Sequence, residues 1–244
     1  MILGSGMPAA LKRLARPVRT RAGEHPPLLP WLLRTSTQEG EQLTIGADTA
    51  LVIEGFPRSG NSFASAAFGL VTQYAVPRVS NTHFPAQVRL AVSRALPTLV
   101  VIRRAGDAVA SLCVAADYLR PAAGLREWLR FYRYVEPHRN GFVLATFDEV
   151  TSDFGAVLQR VNARFGTEFP DFVHTEAAAA EVFDSLETYS LRKDGAIREQ
   201  AIARPSDVRR QRNQAVRTAM TNGRCKTLLA EADDVYDRLV RESS

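Results

Sequence analysis

Cysteine and lysine are the scarce residues of this 244-residue chain. There are two cysteines, Cys113 and Cys225. Two cannot build a disulfide framework, and neither sits in a CxxC pair, so a stapled secreted scaffold is excluded. No apolar run reaches the roughly 18 residues that span a bilayer. The opening "MILGSGMPAALKRLARPVRTRAG" places its charge after a weak apolar start, the reverse of a secretory signal. A reducing, cytoplasmic location is the expectation. Only three of the 31 basic residues are lysine (Lys12, Lys193, Lys226), which leaves 28 arginines. That excess has two readings: codon bias in an alanine-rich chain, or forked recognition of phosphate and sulfate.

What is present describes a globular protein. Hydrophobic residues make up 45% and charged residues 23%, with a formal charge of +5. A chain of this length buries about 70–75% of its unfolded surface, enough for one sizeable core. The arginines are scattered and no dense basic run carries interleaved aromatics, so no nucleic-acid partner is expected.

Residues 1–45 read as a basic, Pro-rich N-terminal arm. Leu11, Leu14 and Val18 have the spacing of one face of a short helix, and "EHPPLLPWLLR" follows with Pro26, Pro27 and Pro30. The arm is either a packing element or a membrane-surface contact. Residues 46–244 read as one α/β domain. "TALVIEGF", "TLVVIRR" and "GFVLATF" are apolar runs of buried-strand type, and "AVPRVSNTHFP" is a short extended piece. Helical segments alternate with them, which predicts a parallel sheet covered by helices on both faces, three layers in all. The C-terminal part is mostly helical. Ligands of such sheets bind beyond the carboxyl ends of the strands. The tips of interest are residues 55–62, 81–85 and 103–111.

"GFPRSGNS" (residues 55–62) is a Gly-containing loop between a strand and a helix. Gly55 and Gly60 have the spacing of the two glycines of a nucleotide-binding P-loop. Loop amides and the first amides of the helix converge on an anion in such a frame. Asn61, however, stands where ATP and GTP enzymes carry lysine, and the cation is Arg58, three positions earlier. "TLVVIRR" ends in Arg103 and Arg104 where an NTPase would place a magnesium-holding aspartate. Ser111 lies eight residues beyond Arg103, in the first turns of the following helix. Arg103 and Ser111 either share one phosphate, or Arg103 pairs with Asp107 as a structural clasp.

These segments resemble the sulfotransferases that use 3′-phosphoadenosine 5′-phosphosulfate (PAPS). "GFPRSGNSF" looks like the family's 5′-phosphosulfate loop, and "LVVIRRAGDAVAS" looks like its 3′-phosphate segment. "NTHFP" is similar to the Lys-Thr-His-x-Pro stretch whose histidine is the general base in many members. Asn81 replaces the lysine, and His83 takes the histidine position. "FVLATFDEVTSDFGAVLQRVNARFG" resembles the family's strand, Tyr-Glu-Asp-Leu turn and long helix, with Phe147 in place of tyrosine. "LRKDG" is similar to the Arg-Lys-Gly loop that closes over the 3′-phosphate. The resemblance spans roughly residues 48–200.

The resemblance implies a P-loop-like nucleotide-binding core. PAPS would be the co-substrate, 3′,5′-adenosine bisphosphate the product, and no metal would be needed. Pro57, Arg58, Ser59, Gly60, Asn61 and Ser62 would hold the 5′-phosphate. Arg58 would neutralise the bridging oxygen, and Phe63 would stack on adenine. Arg103 and Ser111, with Arg192 and Lys193 as further contacts, would hold the 3′-phosphate. His83 would be either the base or an acceptor contact. The acceptor would be a small molecule or carbohydrate bearing a hydroxyl or amine. The alternatives are a P-loop kinase or NTPase and a non-catalytic, basic nucleotide-binding relative. Tyr118, Trp128 and Tyr132 are either an acceptor wall or helical core.

Overall fold

All four expected strands form: β1 (Leu51–Gly55), β2 (Arg78–Ser80), β3 (Thr98–Ile102) and β4 (Val143–Thr146). They run parallel in the order β2-β1-β3-β4. The computed structural model describes residues 8–34, 43–194 and 207–241. The helices are α1 (Ala9–Ala22), α2 (Leu29–Arg34), α3 (Asn61–Val71), α4 (Pro85–Ser93), α5 (Ala105–Ala115) and α6 (Pro121–Val135). They continue with α7 (Phe147–Ser152), α8 (Phe154–Phe165), α9 (Glu176–Asp194), α10 (Asp207–Met220) and α11 (Gly223–Arg241). Among the described residues, no helix is long and apolar enough to cross a membrane.

Strand alternation sorts the core into two slabs. Leu51, Ile53, Leu99, Val101, Val143 and Ala145 face α3 and α8, with Val182 of α9 closing the slab. Val100, Ile102 and Leu144 face α5, α6 and α11. Val52 meets Val79 of β2 and Ala91 of α4. Helices therefore cover both faces of an α/β sheet, and the C-terminal helices α10 and α11 pack on α5 and α6.

The N-terminal arm lies against this body. Leu29, Leu32 and Leu33 bury themselves with Phe84 and Ala86. On α1, the expected apolar face is the outer one: Leu11, Leu14 and Val18 are 50%, 72% and 69% exposed. The inward face carries Arg16 instead. Its guanidinium makes a two-oxygen hydrogen bond to Glu127 of α6 (3.0 and 2.8 Å) and a third to the Tyr118 hydroxyl (3.3 Å). A buried carboxylate on α6 selects the arginine face of the helix over the leucine face, because that carboxylate is costly to bury without a cation.

Candidate functional site at the strand tips

The chain leaves β1 toward β2 on one side, then crosses to β3 on the other. The loops after β1 and β3 therefore diverge at a topological switch point, where open α/β sheets leave a crevice. Residues 56–60 fill one side of it, and Arg103 and Arg104 the other.

The β1 loop is tight and locally strained. Gly60 has φ 107°, and Arg58 has φ 71°, a left-handed conformation that non-glycine residues rarely adopt. A Cβ on Gly55 would collide with the Val101 carbonyl oxygen, so glycine there permits the close approach of β1 to β3. Asn61 closes the loop by donating Nδ2 to the Gly55 and Phe56 carbonyls (3.2 and 3.1 Å). The residue at the lysine position is thus a brace, not a cation. Tyr132 of α6 holds the loop from below. Its hydroxyl donates to Val101 O (2.8 Å) and accepts from Phe56 N (3.3 Å), with Ser59 Oγ at 3.3 Å. One helical turn earlier, Trp128 Nε1 donates to the Arg103 carbonyl (3.1 Å).

The two tips are cross-linked. Arg58 Nε donates to Ser111 Oγ (3.0 Å), and an Arg103 terminal nitrogen donates to the Arg58 carbonyl (3.2 Å). The Arg103 guanidinium lies 3.8 Å from the Phe147 ring centroid. Burial pulls its pKa down, opposed by Asp107 and Asp148, yet an arginine remains charged at neutral pH. The expected alternative for Asp107 is not formed: its carboxylate pairs with Arg217 of α10 (2.5 Å). Arg103 faces a cleft shared with Arg104, Asp107, Phe147, Asp148 and Tyr236. Helices α3 and α5, which start at these two tips, have no side-chain cap, as is also true of α1, α4 and α6, whereas α7 and α8 are capped by Thr146 and Asp153. Uncapped amides and guanidinium groups together suit an anion.

His83 stands beside the β1 tip. Its Nδ1 lies 2.9 Å from the Gly55 carbonyl oxygen. A carbonyl only accepts, so Nδ1 carries the proton and Nε2 carries the lone pair. The 3.4 Å contact of the same nitrogen with Asn61 Nδ2 then sets two donors side by side and is no hydrogen bond. Burial, helped by the charges of Arg16 and Arg58, holds the His83 pKa well below its ordinary value. The imidazole is neutral at pH 7, with its basic nitrogen unprotonated. Asn81 and His83 both have φ 58°.

Glu54, which belongs to none of the site motifs, keeps this strained turn in place. It is fully buried on β1. Its carboxylate accepts from Thr82 N (3.0 Å), Thr82 Oγ1 (2.6 Å) and His83 N (2.9 Å). Burial pushes its pKa up to about 7 against those hydrogen bonds. A glutamate ending an apolar strand was the available signal.

The remaining expected residues divide. Ser62 is exposed at the crevice and donates to Asn81 Oδ1 (3.1 Å). Phe63 does not offer its ring to a base: it is 3% exposed, packed edge-on against Phe183 and stacked on His174. It occupies an inward position of α3, where helix periodicity sends it into the core. Tyr118, Trp128 and Tyr132 are core residues, and the last two also hold the site loops. Arg192 and Lys193 lie at the end of α9, and their side chains fall outside the described residues. The chain matches no protein-family model, no curated protein and no solved structure.

Proposed function

We propose that the protein is a PAPS-dependent sulfotransferase, with a P-loop-like nucleotide-binding core and a hydroxyl or amine as acceptor. The observation that carries this reading is the cross-link at the switch point. Arg58, Ser111 and Arg103, drawn from two strand tips, converge where two uncapped helices begin. A nucleotide with anions at both ends uses two such tips at once. The lack of a cation at Asn61, whose amide is committed to loop carbonyls, disfavours the kinase or NTPase alternative.

In this reading the acceptor oxygen attacks sulfur in line with the leaving phosphate. The new S–O bond forms as the old one to the 5′-phosphate oxygen breaks. The acceptor proton passes to His83 Nε2, and Arg58 balances the charge left on the bisphosphate. The chemistry needs positioning and charge stabilisation more than covalent help. In this reading Nε2 of the neutral His83 is free to take the proton, and the charge of the transferring group favours the imidazolium that forms.

The test is calorimetric titration with 3′,5′-adenosine bisphosphate. The intact chain binds it, and Arg103→Ala weakens binding by about 2–3 kcal/mol, roughly 30- to 150-fold. Undetectable binding by the intact chain overturns the proposal. Magnesium-dependent ATP hydrolysis in its place would establish the NTPase alternative.

A further inference from the structure

Helix α1 is mounted with its polar side inward. Its docked face carries Arg16, paired with Glu127 at 2.8 Å. Leu11, Leu14 and Val18 follow one another at spacings of three and four, so they form one stripe, and helical periodicity sets that stripe opposite Arg16. All three face solvent. Helix α2 repeats the arrangement: Leu29, Leu32 and Leu33 are buried, while Trp31 is 67% exposed. Single exposed apolar residues are ordinary on any protein, but here they are concentrated. Leu11, Leu14, Val18, Leu28 and Trp31 are five of the eight large apolar side chains exposed among the described residues, and all five belong to the arm.

The charge around the stripe has one sign. From residue 8 to residue 23 the arm carries Lys12, Arg13, Arg16, Arg19 and Arg21 and no acidic residue. Glu24, which follows, is paired with Arg130 at 2.5 Å. Arg13 gives its Nε to the Tyr118 carbonyl (2.9 Å) and is still exposed, as is Arg21. Arg21 lies one turn beyond Val18, at the end of the stripe, and Lys12 and Arg13 stand on its flanks.

A stable protein interface takes about 800 Å² from each partner, more than one convex stripe of this length offers. A second copy of the chain would also bring these cations against themselves. A bilayer needs no complementary shape. Apolar side chains sink to the acyl boundary, flanking cations meet anionic headgroups, and tryptophan favours the interface between them.

We infer that the outer face of the arm is a docking surface for an anionic bilayer, on which α1 lies flat with Leu11, Leu14 and Val18 inserted. The protein attaches from one side and no helix crosses. The attachment is independent of the sulfuryl-transfer reading, since it uses no group of the strand-tip crevice.

The experiment sediments the full chain with vesicles of phosphatidylcholine, alone or with about one third phosphatidylglycerol. The chain binds the mixed vesicles. On phosphatidylcholine alone it binds about 30-fold more weakly or less still, since each cation at an anionic surface contributes roughly fivefold. Raising salt from about 0.1 M to about 1 M shortens the screening length to about 3 Å and removes most of that difference. Leu14→Glu combined with Val18→Glu weakens binding to mixed vesicles by about tenfold or more, with the urea midpoint unchanged because both positions are exposed. In a further chain, Leu14→Trp is made together with Trp31→Phe, so that the buried Trp128 is the one other tryptophan. Its emission shifts to the blue on mixed vesicles and is quenched by brominated acyl chains. Equal binding to both vesicle types, undiminished binding by the double glutamate variant, or no quenching in the Leu14→Trp chain overturns the inference. So does a dimer formed without vesicles that the two glutamate substitutions dissociate, which makes a second copy the occupant of the stripe.

Discussion

At the β1 and β3 tips, the anion-facing side chains lie within nine residues of a strand end: Arg58 after Gly55, and Arg103 and Ser111 after Ile102. At the arm, the decisive contacts join residues 111 and 106 positions apart, Arg16 with Glu127 and Glu24 with Arg130. The first half is assembled by the sheet itself, since parallel strands deliver their carboxyl ends to one edge. The second half depends on one buried ion pair docking a helix whose apolar stripe faces outward. The difference teaches that the anion crevice is a product of topology, whereas the docking of the arm is a product of specific side-chain pairing. The two halves should then fail separately.

The largest separation should come from Arg16→Ala. It leaves Glu127 buried without its cation, and such a loss costs about 3–5 kcal/mol. Urea unfolding should show that drop while bisphosphate affinity of the folded chain stays constant. A parallel loss of affinity would break the comparison and make the two halves one unit.

Next is Glu54→Gln, read as stability against pH. With its pKa at about 7 in the fold and near 4.5 unfolded, Glu54 holds a proton that the unfolded chain has released. Its contribution to stability therefore falls as pH rises from 4.5 to 7, by roughly 3 kcal/mol at most. His83 acts in the opposite sense: with its pKa depressed, it loses stability as pH falls below its ordinary value of 6.5. The glutamine variant removes the first slope and keeps the second. Urea midpoints measured from pH 4.5 to 8 would show a steeper rise with pH in the variant. An unchanged curve would remove Glu54 as the strut beneath His83.

The smallest effect expected is that of Tyr132→Phe. It deletes a hydroxyl shared by Phe56 N, Ser59 and the Val101 carbonyl, at a cost of about 1–2 kcal/mol. Because these partners belong to the anion loop, bisphosphate affinity should fall with stability.

The same division explains what could be read from the amino acids. The strands, the glycine loop and the Arg103 to Ser111 spacing were legible because each is a local pattern, and a parallel sheet brings their tips together without further instruction. Glu54 was not, since its partners lie 28 and 29 residues away and a strand-end glutamate looks like a solvent-facing terminus. Trp128 and Tyr132 showed only helical spacing; that each reaches a loop or strand-tip backbone atom depends on how α6 crosses the sheet. Phe63 misled because its motif position outweighed its helical face. Asp107 had a neighbour in sequence, Arg103, and took a remote one, Arg217. The arm showed its leucines and concealed its arginine, because nothing local marks Glu127 as a buried carboxylate.

The Arg58 to Ser111 hydrogen bond also makes the crevice selective. Any anion that takes the Arg58 Nε proton must displace the serine oxygen that now accepts it, while the Ser111 hydroxyl keeps its own proton to donate. A halide brings one charge and no array of oxygens, so it gains little by the exchange. A phosphate dianion can accept from both groups at once and replaces one arginine-to-hydroxyl hydrogen bond with two to an ionised acceptor. The clasp thus lowers affinity for every anion by a similar amount and leaves a net gain only to those with several oxygens, acting as a threshold set by geometry.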